Sequence, residues 1–200
     1  MRALQVLEAD MRRLDVRLAP ETWRAISGSL RETAYPAGAV IMSQAKVSEH
    51  WMFLSRGLAA SEQTLPNGGT AIARFFEAGQ ICTNLTSAWS RDIANDDLIA
   101  ITDVEGLLAP DAVFREALLY GQGFGVYLRL KLMETLLFDK EIICAKTAGD
   151  TETRYRFLEE RHDAVIAGSP KKDVARFLGV TPQGLSRFLK KRSGEAMNPG

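Results

Sequence analysis

The spacing of apolar residues changes texture twice along this chain. Over residues 1 to 28, Leu4, Leu7, Met11, Leu14 and Leu18 recur at steps of three and four, which predicts an amphipathic helix. Pro20 then suits the start of a second short helix carrying Trp23 and Ile26. From Leu30 to about Leu108 the apolar runs shorten and turn residues punctuate them. Tyr35-Pro-Ala-Gly38 and Pro66-Asn-Gly-Gly69 are strong turn signals, the second flanked by the strand-like runs Leu58–Leu65 and Thr70–Phe76. Met52–Leu54, Ile81–Leu85 and Leu98–Thr102 are further strand candidates. Many short strands at regular spacing predict a β-roll or jelly roll.

Helical texture returns at Pro110, with Val113, Phe114, Ala117 and Leu118, and Gly121 to about Ala148 reads as one long helix. This helix carries two apolar rows. Val126, Leu130, Met133, Leu137 and Cys144 keep a three-four step, and Leu128, Leu132, Leu136 and Ile143 form the row beside it. One row can cover the roll, and the other calls for a second copy of the chain. The competing arrangement buries that row within one subunit, beneath the C-terminal part.

The last patterned segment, Ser169–Arg192, reads as two short helices and a tight turn. Val174, Ala175 and Leu178 share a face of the first helix, and Gly179 supplies the permissive backbone that ends it. Thr181 can cap the next helix and Pro182 fits its first position. Leu185, Phe188 and Leu189 form its buried stripe, leaving Gln183, Ser186, Arg187, Lys190 and Lys191 on the other faces. Small Ala175 permits a steep helix crossing. This is the layout of a DNA-binding helix-turn-helix.

Charge sharpens that picture. Residues 170–192 hold seven cations against the single anion Asp173, whereas the whole chain balances 25 cations with 25 anions. A phosphate-binding head on an acidic body is the expected organisation; a plain helical hairpin kept soluble by its lysines is the alternative. Composition is that of a soluble globular protein, with 46% hydrophobic and 25% charged residues. No apolar run approaches the roughly 20 residues that span a bilayer, and the N-terminus lacks a signal peptide's apolar core, so a cytoplasmic protein without membrane association is expected. Cys82 and Cys144 are too few for a metal cluster, and each is expected to be a small buried hydrophobe. With only His50 and His162, and no nucleophile motif, P-loop or dinucleotide fingerprint, neither an enzyme nor a metal or other cofactor is expected.

The order of helix pair, β-roll, long helix and helix-turn-helix resembles that of Crp/Fnr-type transcription regulators, relatives of the bacterial catabolite activator protein. Ala34-Tyr-Pro-Ala-Gly-Ala-Val-Ile41 looks like the family's early strand-turn-strand, Trp51-Met-Phe-Leu-Ser-Arg-Gly57 like its strand ending in glycine, and Phe75-Phe-Glu-Ala-Gly79 like the approach to its ligand pocket. Ala100–Glu105 resembles the strand leaving that pocket and Asp150–Leu158 the helix before the reading head. The resemblance spans roughly residues 20 to 192 and implies an α+β chain with a cyclic-nucleotide-binding-like roll. Cyclic-nucleotide binders of the family present a Gly-Glu-Leu-like triplet to ribose and phosphate, and further on an Arg-Ser or Arg-Thr pair to the phosphate. Here those positions hold Thr83-Asn84-Leu85, without a carboxylate, and Ala94-Asn95, without an arginine. Arg74 and Arg91 are near in sequence but out of register. The pocket is therefore expected to be degenerate or retuned to a less anionic ligand. That ligand would lie near Thr83, Asn84 and Tyr127, with Arg91 in reach if the loop Ser90–Asp96 shifts.

The expected organisation is a sensor roll with N-terminal helices at 1–120, a dimerisation helix at 121–148, a DNA-binding head at 149–192 and a disordered tail at 193–200. The head is expected to be a minimal one, without the β-hairpin wing that many members of that family carry. A homodimer would address a near-palindromic operator on double-stranded DNA through Lys171, Thr181, Gln183, Ser186, Arg187, Lys190 and Lys191, with an unknown small-molecule effector and RNA polymerase as further partners. The competing function is a signalling or protein-docking module that binds no operator.

Overall fold

The computed structural model describes residues 2–196. Two helices, α1 (Arg2–Arg13) and α2 (Pro20–Ser29), precede the strands. These are β1 (Arg31–Tyr35), β2 (Val40–Met42), β3 (His50–Arg56), β4 (Ala59–Thr64), β5 (Thr70–Phe76), β6 (Ile81–Cys82), β7 (Asp97–Ala100) and β8 (Val104–Pro110), with the short helix α3 (Leu85–Ser90) between β6 and β7. They form two four-stranded sheets, ordered β1-β8-β3-β6 and β2-β7-β4-β5, and every pairing is antiparallel. The expected strand Ile81–Leu85 stops at Cys82. Asn84 instead caps α3, its Oδ1 accepting from the Ser87 amide at 3.0 Å.

The two-residue period of β3 organises the interior. Met52 and Leu54 face into the roll with Ala59, Phe76, Cys82, Leu98 and Leu108. Trp51 and Phe53 face the opposite way and meet Leu7 and Met11 of α1 together with Phe114, Phe124 and Leu128. Both faces of the strand are thus buried, which explains its continuous apolar run. Gly57 ends it in the left-handed region (φ 88°), where an added Cβ would collide with the Asp103 carbonyl.

Six helices follow: α4 (Asp111–Tyr120), α5 (Phe124–Ala148), α6 (Thr151–Arg161), α7 (Asp163–Gly168), α8 (Lys171–Leu178) and α9 (Pro182–Ala196). The apolar rows of α5 split differently from expectation. Phe124, Leu128, Ile142 and Ala145 turn inward, whereas Val126, Leu130, Met133, Leu136, Leu137 and Ile143 are 38–59% exposed. Leu136 and Ile143 therefore join the outer row instead of continuing inward from Leu128, because Phe138 and Ile142 occupy the inner face at that height. Cys144, expected to be buried, lies on that outer face, and only Cys82 is buried. The tail also differs. Helix α9 runs on through 193–196, with Ser193 Oγ donating to the Leu189 carbonyl and Arg192 clamped to Glu159 and Glu152. Residues 197–200 lie outside the described residues.

A third cluster joins the head to the roll. Leu58, Ala60, Ile72 and Phe75 pack with Ile142, Tyr155, Leu158, Val174, Phe177, Leu178 and Leu185 as one core. Polar contacts reinforce it: Arg176 pairs with Glu62 and Asp173, and His162 Nδ1 sits 2.6 Å from Glu77 Oε1. Among the described residues, no helix is long and apolar enough to cross a membrane.

Candidate DNA-binding head and sensor cavity

The head is built from local signals. Helix α8 stops at Gly179, which takes left-handed backbone (φ 71°), and the Ala175 carbonyl accepts from the amides of Gly179 and Val180. Ala175 itself is fully buried beneath α9, alongside Leu178 and Leu185. Thr181 Oγ1 accepts from the Gly184 amide at 3.0 Å, so the residue caps α9 as its position implies. Phe188 packs edge-on against Tyr155 at 5.4 Å, fixing the roll of α9 about its axis. Lys171, Thr181, Gln183, Ser186, Arg187, Lys190 and Lys191 are all exposed. Two cations of the segment serve inward: Arg176 is tied to the roll and Arg192 to α6. The concentrated positive charge is therefore partly cement, and Lys171, Lys172, Arg187, Lys190 and Lys191 are the exposed remainder outside those two clamps.

The second candidate site is a cavity of about 370 Å³ between the roll and α5. Strands β4 and β5 give it Ser61, Gln63, Arg74 and Phe76; the β6–α3 corner gives Ile81, Thr83, Asn84 and Thr86; α5 gives Leu132, Thr135, Asp139 and Ile142. Of the four ligand residues expected from the sequence, Thr83 and Asn84 line this space. Arg91 does not. It takes left-handed backbone at the end of α3 and its Nη1 donates to Asp111 at 3.2 Å, which draws it toward α4. Tyr127 is also elsewhere. It is wholly buried against Phe124, and its hydroxyl donates to Asp10 Oδ2 at 2.8 Å.

Four charged residues line the cavity: Arg74 and Asp96, which sequence counting set aside or passed over, and Lys131 and Asp139 of α5. Arg74 is 8% exposed, lies over the rings of Phe76 (4.6 Å) and Phe138 (5.0 Å), and donates through Nη1 to Asp139 at 2.7 Å. Its Nε is buried with no hydrogen-bond partner. Burial works against its charge, and Asp139 opposes that. Asp96 accepts from Ser61 and from Asn84 Nδ2, and burial raises its carboxyl above the usual range. A cation inside the apolar run Thr70–Phe76 was the available signal for Arg74. Its inward direction depends on the register Ser61↔Arg74, which the bulge at Ser61/Glu62 sets.

No protein-family model matches the sequence, and neither does any curated protein. Solved structures do match by shape. FixK2 from Bradyrhizobium japonicum superposes with a TM-score of 0.68 at 18% identity, covering 86% of this chain and 89% of that one. The global regulator CLP of Xanthomonas campestris, described as responsive to c-di-GMP, gives 0.68 at 13% identity over 89% and 93% of the two chains. A putative Crp/Fnr regulator from Eubacterium rectale gives 0.66 at 17% identity over 89% and 85%. Roll, long helix and head occur in the same order and at nearly full length, so this chain has the fold of Crp/Fnr-type transcription regulators.

Proposed function

We propose that this chain is a homodimeric, sequence-specific DNA-binding transcription regulator whose β-roll senses a small ligand. The observation that carries the reading is the outer face of α9. Gln183, Ser186, Arg187 and Lys190 are exposed together on a helix capped by Thr181 and locked from behind by Leu185 and Phe188. Gln183 and Arg187 stand one turn apart, the spacing for reaching neighbouring base edges in a major groove. Thr181 and Lys171 fit phosphate contacts. The exposed row on α5, from Val126 to Ile143, supports pairing through that helix. Two heads then address half-sites about one helical turn apart. RNA polymerase is a further partner for such a regulator. A docking module without operator binding does not need cations on α9, and they are there.

Selection from random duplexes followed by fluorescence anisotropy tests the reading. A near-palindromic site bound by a dimer is expected, and light scattering should give twice the chain mass at micromolar protein. Replacing Leu130 and Leu137 together by Glu should give a folded monomer that binds the full site weakly, because both side chains are exposed and contribute little to the single chain's core. A monomeric parent protein would sink the dimer; a parent without sequence preference would sink the operator.

A further inference from the structure

The outer row of α5 has one charged member. Val126, Leu130, Met133, Leu137 and Cys144 follow steps of three and four, and Lys140 fills the gap between the last two. Its helical neighbours three and four residues away are Leu136, Leu137, Ile143 and Cys144. The first three are 58–59% exposed, and Cys144 is exposed as well. Lys140 is itself exposed and makes no ion pair among the described residues. The acids beside it in sequence are committed, Asp139 to Arg74 at 2.7 Å and Glu141 to Arg161 at 3.3 Å. A lone cation thus stands in the middle of an exposed apolar face.

A second copy laid on this face strips water from the ammonium, and a cation left there without a partner is strongly destabilising. The facing helix must therefore bring a carboxylate to it. In a parallel, in-register pair each knob enters a hole of four residues on the facing helix. For Lys140 that hole is the partner's Leu137, Lys140, Glu141 and Cys144. It contains one acid, the partner's Glu141. An antiparallel copy matching the row end to end sets Lys140 against Leu130 instead. The acid one turn from Leu130 is Glu134, which already holds Arg13 and the buried Lys131. Glu141, by contrast, is 43% exposed and is held by one exposed arginine.

We infer that Lys140 fixes the orientation and register of the second copy, pairing in each chain with the partner's Glu141. This deepens the homodimer proposed above and rests on it. The contact is isologous, so the pair forms twice, once on each side of the seam. Each pair draws Glu141 away from Arg161, the last residue of α6. Assembly at this level therefore loosens a tie between α5 and α6 within each chain. A slip of one heptad toward the N-terminus brings Lys140 to Glu134, whose two cations leave it no room, so the in-register pair is favoured.

The test is self-association of the intact protein, read by sedimentation equilibrium. Lys140→Glu and Glu141→Lys should each weaken the dimer by about 10-fold or more, because each sets like charges against one another. An equimolar mixture of the two variants should form a heterodimer about 10-fold or more tighter than either variant with itself, since every facing pair is then of opposite sign. A control mixture of Lys46→Glu and Glu49→Lys makes the same charge changes at exposed positions ahead of β3 and should show no such preference. Arg161→Ala, which alters neither member of the pair, should tighten the dimer by about 3-fold by freeing Glu141, the scale of an exposed ion pair. If a charge-reversed variant does not fold, as thermal melting will tell, the Arg161→Ala arm still decides. A mixture no tighter than its separate variants, a control mixture with the same preference, or an Arg161→Ala dimer no tighter than the parent overturns the pairing. Any of these in a parent that dimerises keeps the homodimer and ends the role of Lys140, while a parent that is monomeric at micromolar protein ends both.

Discussion

The C-terminal helix pair and the cavity beside the roll use arginine in opposite ways. On α9, Arg187 stands in solvent beside Lys190, held by no ion pair among the described residues. In the cavity, Arg74 is dry, stacked on two rings and committed to one carboxylate. An exposed cation costs nothing to keep charged and attracts any polyanion, so its energy is long-ranged and easily screened. A buried guanidinium has already lost its water and returns that cost only to a ligand that fits its edge. On the proposed reading, the head would then bind with an affinity that salt controls, and the cavity would select with one that salt barely touches.

The largest test of that contrast is ionic strength. If each head of a dimer neutralises phosphates with Lys171, Lys172, Arg187 and Lys190, raising salt from about 50 to 200 mM should lower DNA affinity by on the order of 10³–10⁵. Binding of a small ligand at Arg74 in the cavity should change by about 3-fold or less over the same range, because buried pairs are weakly screened. Equal salt slopes for the two ligands would erase the distinction. Next in size is cyclic AMP. Its phosphate would meet Asp96 where an arginine is needed, a loss of several kcal/mol that takes micromolar binding to about millimolar. A calorimetric constant below about 100 micromolar, on that same scale, would overturn this expectation.

A smaller effect is expected inside the head. Arg187→Ala should cost about 1–3 kcal/mol and relax preference at one base position, whereas Lys190→Ala should weaken all duplexes alike. Competition anisotropy against single-base variants of the selected site reads this directly, and unchanged preference in Arg187→Ala would remove its base-reading role. The smallest effect concerns Cys82, which burial pushes up from 9.0 to about 12, with Arg74 pulling weakly the other way. The folded chain keeps the thiol proton that the unfolded chain gives up above pH 9, so stability falls as pH rises from 9 toward 12. At pH 10 the loss from this group is about 1 kcal/mol. Urea unfolding at pH 8 and 10 should show it, and Cys82→Ala should shrink the difference.

What was legible in the sequence follows from the range of the interactions. Gly179, Thr181, Pro182 and the stripe Leu185–Phe188–Leu189 act within one or two turns, and the head took the form they specify. The β-roll was legible as a class because turns such as Pro66–Gly69 are also local. The cavity was not. Counting along the chain brought Thr83 and Asn84 to it, but Arg91 was diverted by Asp111 and Tyr127 by Asp10, partners on other helices. Arg74 entered through a bulge and a cross-strand register that no local signal announces. Cys144 failed similarly, since which row of α5 faces inward is decided by Phe138 and Ile142 meeting α6 and the roll.

The shared cluster that runs from Ile72 and Phe75 to Val174, Phe177 and Leu185 has a consequence for folding. A segment of some fifty residues whose apolar residues are completed by a neighbour's strands has no separate core to melt. Roll and head should unfold in a single calorimetric transition, and 149–196 expressed alone should lack a cooperative one. Modular exchange of this head onto another sensor would then require carrying β4 and β5 with it.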